Sequence, residues 1–215
     1  MNSYAPTAIE SGPVTVESPS SPLSGLPDFQ PWPKIPRLRN EIVTITEKIN
    51  GSCACIYVTE TGEVFAASRN RWITPGKNTD NYGFAQWVQD HKDDCLRLGP
   101  GRHFGEWYGL GIGPAAYGLS EKRLALFNVF RPRGAIPALF EQVTVLYQGN
   151  AIGLTDKVNA IMADLITNGS KHCPCFMRPE GIVIYSSLNK TRYKVLCEND
   201  DVHKSTSTYV AQGET

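Results

Sequence analysis

Three short segments in which apolar and polar residues alternate follow one another at 42–49, 54–59 and 63–68. A period of two places every second side chain on the same face, which is typical of β-strands with one buried face. The Thr61-Gly62 pair between the last two segments favours a tight turn. We therefore predict that the three segments form an antiparallel meander.

Two other stretches have the spacing of amphipathic helices. The first, at 80–97, has one face formed by Phe84, Trp87, Val88, His91 and Cys95. In the second, Thr155 is placed to cap the helix and Gly169 to end it, and the apolar face consists of Val158, Ile161, Met162, Leu165 and Ile166. Further strands are expected at 102–108, 123–130, 143–147, 181–186 and 191–196, which gives an α+β fold.

The N-terminal region differs in composition from the rest of the chain. The first 40 residues contain eight of the fifteen prolines and six serines, with few large apolar side chains before Leu26. Such a segment cannot bury enough surface to fold by itself, so residues 1–25 are expected to be disordered. Residues 26–40 include Phe29 and Trp32, and we expect this extended segment to pack on the following domain.

Length, charge and cysteine use limit the class of protein. The 215 residues, 41% of them hydrophobic, suit one domain. No apolar run approaches the ~18 residues of a membrane span, and the signal-peptide pattern is missing, so no membrane association and a cytoplasmic location are expected. The six cysteines are expected to be reduced, and the Cys173-Pro174-Cys175 run lacks the further ligands of a zinc site.

The net charge is zero, with 21 basic and 21 acidic residues. A protein that binds nucleic acid through its phosphates needs basic surface. In this chain such a surface has to be local. Candidate basic residues, each of which is alternatively a solvated loop charge, are Arg69, Arg71, Lys77, Arg131 and Arg133.

The end of the first predicted strand carries a lysine in the run Glu47-Lys48-Ile49-Asn50-Gly51-Ser52. Lysine becomes a nucleophile only as the neutral amine, and its ordinary pKa is ~10.4. Desolvation or neighbouring cations would have to destabilise the ammonium form. Taken alone, Lys48 is better explained as a solvated surface residue at a strand end, which is the usual place of such a lysine.

Several short motifs follow this run in a fixed order. They are Ser68-Arg69-Asn70-Arg71, Phe104-Gly105-Glu106-Trp107-Tyr108-Gly109, Leu126-Phe127-Asn128-Val129-Phe130, Pro179-Glu180-Gly181-Ile182-Val183-Ile184 and Arg192-Tyr193-Lys194-Val195. Over residues 41–197 the chain resembles the covalent nucleotidyltransferase superfamily of ATP-dependent polynucleotide ligases and capping enzymes. The resemblance is strongest to the phage-type RNA ligases that seal nicks in duplex RNA.

This resemblance implies a nucleotidyltransferase fold of two antiparallel sheets around a nucleotide cleft, with flanking helices. It also implies an ATP-dependent RNA ligase, in which Lys48 attacks the α-phosphorus of ATP to form lysyl-AMP. AMP then passes to a 5′-phosphate, and a 3′-hydroxyl displaces it. Splitting the joining reaction into transfers makes each step an attack by an aligned nucleophile.

The residues around Lys48 acquire roles from the same resemblance. Glu47 would lie near the adenine edge, or would be an ordinary charged strand residue. Asn50 stands where DNA ligases and capping enzymes commonly have aspartate, which favours the RNA ligases. Gly51 would let the chain turn beneath the nucleotide, where a positive φ or the absence of a side chain is needed. Arg69 would contact the nucleotide sugar or phosphate.

The downstream motifs supply the rest of the expected nucleotide site. Glu106 would accept a hydrogen bond from the ribose, and Phe127 would stack on the base unless it is a core residue. Glu180 would hold the catalytic Mg²⁺ or Mn²⁺, a role that one or two carboxylates and ATP oxygens can fill. Lys194 would lie on the α-phosphate and help to keep Lys48 neutral. Arg192 takes a position where a lysine is common.

The resemblance leaves alternatives open for the substrate. A DNA ligase, a GTP-using capping enzyme and a non-catalytic nucleotide-binding or RNA-binding derivative all belong to the same superfamily. The replacement of a usual aspartate by Asn128 favours the last of these.

RNA ends or nicks are the expected partners of an adenylyltransferase domain at 41–215. No separate C-terminal nucleic-acid-binding domain is expected, so the chain is either a minimal ligase or depends on a protein partner that replaces this domain. Its location is expected to be the cytoplasm, of the host cell if the protein is viral.

Overall fold

The computed structural model describes residues 26–113 and 116–198. The predicted disordered tail at 1–25 lies outside the described residues. The chain divides at Pro36 into two units. Residues 26–36 have no regular secondary structure and exposed side chains, and their packing on the domain stays a prediction. Residues 38–40 were expected to be extended, but they form a 3₁₀ turn.

The second unit contains two sheets and three α-helices within its described residues. The smaller sheet has the order β10-β9-β1-β8 and is antiparallel throughout. Its strands are β1 at Ile42–Lys48, β8 at Val145–Asn150, β9 at Gly181–Ser186 and β10 at Arg192–Leu196.

The larger sheet has the order β4-β3-β2-β5-β6-β7. Its strands are β2 at Ser52–Val58, β3 at Val64–Ser68, β4 at Trp72–Ile73, β5 at Gly101–Gly109, β6 at Lys122–Leu126 and β7 at Glu141–Gln142. All pairs are antiparallel except β6 with β7, which is parallel. The two-residue strands β4 and β7 have no counterpart in the sequence prediction because they are too short to show a period.

The predicted three-strand meander is half correct. Strands β2 and β3 form the expected hairpin, whereas β1 pairs with β8 and β9 in the other sheet. The chain changes sheets at Ile49–Gly51, directly after Lys48. Alternation determines which face of a strand is buried, but it does not determine the partner strand, so only the tertiary structure could place β1.

The helices flank the sheets and differ in detail from their predictions. The helix expected at 80–97 is two short helices, α1 at Phe84–Asp90 and α2 at Lys92–Leu96, because His91 leaves the helical conformation. Helix α3 spans Leu154–Asn168. The predicted cap at Thr155 is wrong, since Gly153 is the N-cap residue, while the predicted end at Gly169 is confirmed.

The core is divided between the sheets. Helices α1 and α2 cover one face of the larger sheet, where Ile56, Phe84 and Trp107 are almost fully buried. Ile45 and Ile182 of the smaller sheet pack with Leu165 of α3. The opposite faces of the sheets are turned towards each other across a cleft. The predicted α+β fold with two sheets around a cleft is confirmed.

A buried carboxylate connects the end of β1 to the loop after α3. Glu47 is only 1% exposed. Its carboxylate accepts hydrogen bonds from Ser170 Oγ at 2.5 Å, from the backbone N–H of Lys171 at 2.7 Å and from that of His172 at 2.9 Å. A buried charge is tolerated when several donors satisfy it in this way. Glu47 therefore fixes the position of the strand end that carries Lys48.

A polar cluster then connects the same loop to the larger sheet. The Tyr108 hydroxyl lies 2.5 Å from Glu141 Oε2 and 3.0 Å from His172 Nε2, and Arg123 donates to the other Glu141 oxygen. Hydrogen bonding with His172, followed by that with Tyr108 and the charge of Arg123, lowers the pKa of Glu141 to about 2. Glu47, the loop and this cluster therefore connect the two sheets.

Replacement of Glu47 by alanine should destabilise the protein strongly. The change leaves buried donors of the loop without an acceptor, so we expect the free energy of unfolding to fall by roughly 2 to 4 kcal/mol. Denaturant unfolding followed by circular dichroism measures the loss. Glu60→Ala, at an exposed turn residue, is the matched control, and equal stability of the two variants would contradict the structural role of Glu47.

Candidate active site

A cavity of about 960 Å³ lies between the facing surfaces of the two sheets. Its wall on the smaller sheet consists of Thr44, Thr46, Glu47, Lys48, Val183, Tyr185, Arg192, Tyr193 and Lys194. The facing wall includes Cys53, Arg69, Arg102, His103, Phe104, Glu106, Leu126 and the segment 127–131. Seven of the ten residues predicted to act in catalysis or nucleotide binding therefore share one cavity, and Asn50, Gly51 and Glu180 adjoin it.

Lys48 reaches the cavity because of the strand period. Thr44, Thr46 and Lys48 lie on the cleft face of β1, whereas Ile45 and Glu47 point to the opposite face. The Glu47 carboxylate is accordingly engaged with the loop after α3. The carboxylate is therefore directed away from the cavity, and the Glu47 backbone N–H donates to the Thr144 carbonyl at 2.9 Å.

Glu180 is the acidic partner of Lys48. It directly precedes β9, and the pairing of Lys48 with Gly181 brings the two side chains together. Lys48 Nζ lies 2.6 Å from Glu180 Oε2, and both side chains are largely buried. The angle at this contact does not meet hydrogen-bond geometry, so Glu180 Oε2 has no hydrogen-bond partner among the described residues. The contact is an ion pair that holds the Lys48 side chain beside the Glu180 carboxylate.

The turn after Lys48 is held by close backbone contact. A Cβ atom at Gly51 would lie 2.9 Å from Tyr108 Cβ and would collide with the Trp107 carbonyl. Glycine is needed here for the absence of a side chain, which is one of the two expected reasons. The Asn50 backbone N–H donates to the Tyr117 hydroxyl at 2.6 Å, and this contact fixes the turn from the other side.

Glu106 lies on β5, opposite Cys53. Burial raises the pKa of the Glu106 carboxyl to about 7, and the Glu180 charge adds to this rise. Lys48, the Gly51 backbone N–H and Arg69 act in the opposite direction. A carboxyl group with this pKa exchanges its proton near neutral pH.

Arg69 and Phe127 complete the wall opposite Lys48. Arg69 follows β3 and interacts with Cys53 as well as with the charge of Glu106. The Phe127 side chain is 41% exposed and borders the cavity, so it is not a core residue. Its backbone N–H donates to the Phe104 carbonyl at 2.9 Å. An exposed ring at a cavity wall is available for stacking with a planar ligand.

Asn128, where the resemblance led us to expect an aspartate, has a local role. Its side-chain oxygen accepts the Phe130 backbone N–H at 3.2 Å. Its carbonyl accepts from Gln142. The asparagine therefore stabilises the turn after β6.

Two cationic residues of β10 face the cavity. Lys194 is paired with Val183 of β9, which is itself paired with Thr46 of β1, so the backbones of Lys194 and the Lys48 strand are roughly 10 Å apart across the sheet. The Arg192 guanidinium carbon lies 5.1 Å from the centre of the Tyr185 ring. This cation–π contact orients Arg192 along the wall.

The cavity concentrates positive charge in a chain of zero net charge. Its lining includes six cationic side chains, namely Lys48, Arg69, Arg102, Arg131, Arg192 and Lys194. The predicted local basic surface is thus found at Arg69 and Arg131. Arg71, Lys77 and Arg133, the other candidates, do not line the cavity. An anion such as a phosphate group is favoured inside such a cleft.

Sequence reasoning missed several residues that the site depends on. Tyr117, Ser170 and His172 hold the main chain or the carboxylate next to Lys48, and they are distant in sequence, so no local pattern identifies them. Arg102 and Phe104 line the cavity and were detectable, because they precede Glu106 by four and two residues and share its face of β5.

The acidic residues near the cavity fit a divalent cation only if a bound ligand supplies further oxygen atoms. The described residues contain no cluster of three or more potential protein ligands. The buried Glu180 Oε2, which has no hydrogen-bond partner among the described residues, is one hard oxygen, and it lies 2.6 Å from Nζ of the cavity-lining Lys48. Mg²⁺ and Mn²⁺ accept a site made of one carboxylate, water and phosphate oxygens.

Within the described residues, no helix is long and apolar enough to cross a membrane.

Comparison with known proteins gives a family and a fold. Residues 41–196 match the family model described as RNA ligase. Among curated proteins, no sequence matches this chain significantly.

Several solved structures share the fold at low sequence identity. A lysine-to-alanine variant of the Naegleria gruberi RNA ligase with ATP and Mn has a TM-score of 0.53 and 15% identity, with 74% of this chain and 50% of that chain covered. A glutamate-to-alanine variant with ATP and Mn has the same score and identity, with 75% and 51% covered. The same ligase with PPi also gives 0.53 and 15%, with 74% and 50% covered. This chain thus spans about half the length of the solved proteins it matches.

The raised pKa of Glu106 predicts a pH-dependent stability. Between pH 4.5 and about 7 the folded protein holds a proton that the unfolded chain has released. The free energy of unfolding should therefore decrease as the pH rises through this window, by roughly 2 to 3 kcal/mol in total. This contribution is fully present below pH 4.5 and is lost above pH 7. Denaturant unfolding at several pH values measures it.

The Glu106→Gln variant should lack this part of the pH dependence, because glutamine does not titrate. Glu60→Gln, at an exposed turn residue, is the control and should keep the wild-type slope. If Glu106→Gln also kept that slope, Glu106 would not be the group that titrates near neutral pH.

Proposed function

This chain belongs to the RNA ligase family, and we propose that it is an ATP-dependent RNA ligase that joins 5′-phosphate and 3′-hydroxyl ends through lysyl-AMP. The proposal is carried by one observation: Lys48 Nζ lies in a cationic cavity beside the buried Glu180 carboxylate, with Glu106 and Phe127 on the walls. The ATP, Mn and PPi named for the matched ligase structures fit a reaction that consumes ATP and releases pyrophosphate.

In the first step of the proposed reaction, the Lys48 amine attacks the α-phosphorus of ATP. A nitrogen–phosphorus bond forms, the bond from that phosphorus to the bridging oxygen breaks, and pyrophosphate leaves. The ammonium form has no lone pair, so Lys48 must first lose a proton to water or to a nearby carboxylate and separate from Glu180. The ion pair with Glu180 keeps the Lys48 side chain in position, and separation of the pair makes the Lys48 amine available for attack.

The walls of the cavity supply complementary contacts for this substrate. Arg69 and Lys194 offer positive charge to the phosphate oxygens, where negative charge develops during transfer. Phe127 offers a ring face to the base, and the Glu106 carboxylate accepts from a ribose hydroxyl. A cation that Glu180 holds would neutralise phosphate oxygens and disfavour the Lys48 ammonium.

The later steps return Lys48 to its free form. The 5′-phosphate of an RNA end attacks the phosphorus of lysyl-AMP, and the lysine nitrogen leaves and regains a proton. The 3′-hydroxyl of a second end then attacks the activated 5′-phosphate, a phosphodiester forms, and AMP leaves. RNA ends or nicks are the substrates in this proposal. A cytoplasmic setting, in the host cell if the protein is viral, and a protein partner stay predictions.

The first step is tested on Lys48 itself. Incubation of the full chain with ATP and Mg²⁺ should add the mass of one AMP, and peptide mass spectrometry should place it on Lys48. Lys48→Ala should give no adduct, because the nucleophile is gone. Lys92→Ala, at an exposed helix residue, should react like the wild type. ATP binding by the wild type without any adduct would support a non-catalytic binding module instead.

Substrate choice is resolved by parallel assays with matched ends. The proposal expects sealing of RNA ends with ATP and little sealing with GTP. Faster sealing of DNA than of RNA would favour the DNA ligase alternative. Stable transfer of GMP to Lys48 would favour a capping enzyme.

Glu180→Gln should weaken divalent-cation binding at the site and thereby slow the first step, the adenylylation of Lys48. The neutral amide is a poorer ligand for Mg²⁺, so we expect the rate of Lys48 adenylylation to fall on the order of 100-fold. Binding of Mn²⁺ in the presence of ATP, measured by electron paramagnetic resonance, should weaken in parallel. Glu60→Gln is the control, and wild-type binding and rate in Glu180→Gln would refute the assignment of Glu180.

A further inference from the structure

The cleft face of the larger sheet continues beyond the cavity as an exposed aromatic surface. We propose that this surface binds an unpaired RNA strand by base stacking and leads its end to Lys48, an inference that rests on the proposed function. We define the aromatic platform as Tyr57, Phe65, Trp72 and Phe104.

The pairing register places the platform on the same face as the nucleotide site. On β5 and β2, Glu106 is opposite Cys53 and Phe104 is opposite Cys55. Side chains two residues apart along a strand share a face. The Phe104 ring therefore lies one position further out than Glu106, and it lines the cavity too.

The next position outward forms a row across three strands. Arg102 of β5 is opposite Tyr57 of β2, and Tyr57 is opposite Phe65 of β3. Trp72 of β4 is opposite Ala67, the next residue on this face of β3. Arg102 precedes Glu106 by four positions along β5, so this row begins roughly 13 Å from the proposed ribose-binding position at Glu106.

Three of the four rings, those of Tyr57, Phe65 and Trp72, form one continuous group. The centre of the Trp72 ring lies 5.8 Å from that of Tyr57 and 6.2 Å from that of Phe65. Tyr57 and Phe65 are 6.4 Å apart and nearly parallel. The Arg102 guanidinium carbon lies 4.9 Å from the centre of the Tyr57 ring, which adds a cation to the aromatic surface.

Solvent reaches this group. Phe65 and Phe104 are each 45% exposed, and Trp72 is 55% exposed. The opposite face of the same strands is buried, since Ile56 and Ala66 pack against α1 and α2. The rings are therefore not required to fill a core, and large exposed apolar patches commonly mark binding surfaces.

Chemistry and continuity together identify the occupant. Exposed aromatic rings on a sheet, combined with arginine, are the arrangement with which proteins stack successive unpaired bases, whereas bases inside a duplex are not accessible for stacking. Phe104 belongs to the platform and also lines the cavity. Arg102 contacts the Tyr57 ring of the platform and lines the cavity as well. An RNA strand stacked on the platform would thus reach Lys48 without crossing another surface.

Affinity measurements on the full chain test the proposal without any need for catalysis. The probe is a fluorescent RNA of about 12 nucleotides with a 5′-phosphate, used unpaired, as a duplex and as a nicked duplex. The variants are Phe65→Ala and Trp72→Ala. Ile166→Ala, at an exposed residue of α3, is the control, and the unfolding transition of each variant verifies folding.

Each platform variant should bind unpaired RNA about tenfold or more weakly, because one stacking surface is lost. The control should bind like the wild type, and both duplexes should bind more weakly than unpaired RNA and lose little in the variants. Unchanged affinity of both variants for unpaired RNA would overturn the proposal. Equal losses for duplex and unpaired RNA would also overturn it, as would a variant effect confined to self-association of the chain.

Adenylylation separates this proposal from the proposed function. Phe65 and Trp72 lie outside the cavity, so Lys48 in both variants should react with ATP at the wild-type rate. A slowed first step would show that the rings support the nucleotide site, which would overturn their assignment as an RNA platform. If the wild type formed no AMP adduct, the ligase function would fail, while the affinities would still decide whether unpaired RNA binds the platform.

Discussion

The buried carboxylate of Glu47 is the contact on which the geometry of this protein depends. Three donors of the loop after α3 satisfy it, and the same loop reaches the larger sheet through His172 and Tyr108. Because adjacent residues of a strand point in opposite directions, anchoring Glu47 behind the sheet directs Lys48 into the cleft. The position of the candidate nucleophile is thus a consequence of a structural charge next to it.

The few acidic side chains at the cleft lie beside some of its six cationic side chains. Glu180 compensates Lys48 directly, and Glu106 lies in the field of Lys48 and Arg69. Burial nevertheless raises the pKa of Glu106 to about 7, since desolvation outweighs those cations. The result is a cavity whose cationic walls favour anions and in which Lys48, the proposed nucleophile, is paired with Glu180. The neutral net charge of the chain conceals this local arrangement.

Much of the site was predictable because catalytic motifs are local in sequence. The order of the motifs from Glu47 to Lys194 identified seven residues that line one cavity. The reason for Gly51 was also foreseen, although only the structure shows that the Trp107 carbonyl and Tyr108 Cβ leave no room for a side chain. The role of Glu47 was not resolved, because alternation shows that its face differs from that of Lys48 but not what lies on that face.

The sequence by itself determined the strands other than the two-residue β4 and β7, the α3 helix end at Gly169 and the set of motif residues, since period and local composition act within a few residues of the chain. The tertiary structure alone decided that β1 leaves the predicted meander for a second sheet. It also decided that α1 and α2 separate at His91, and that Tyr117, Ser170 and His172 support the turn at Lys48. Strand partners and buried hydrogen bonds join residues far apart along the chain, so they depend on which surfaces meet when the whole domain packs.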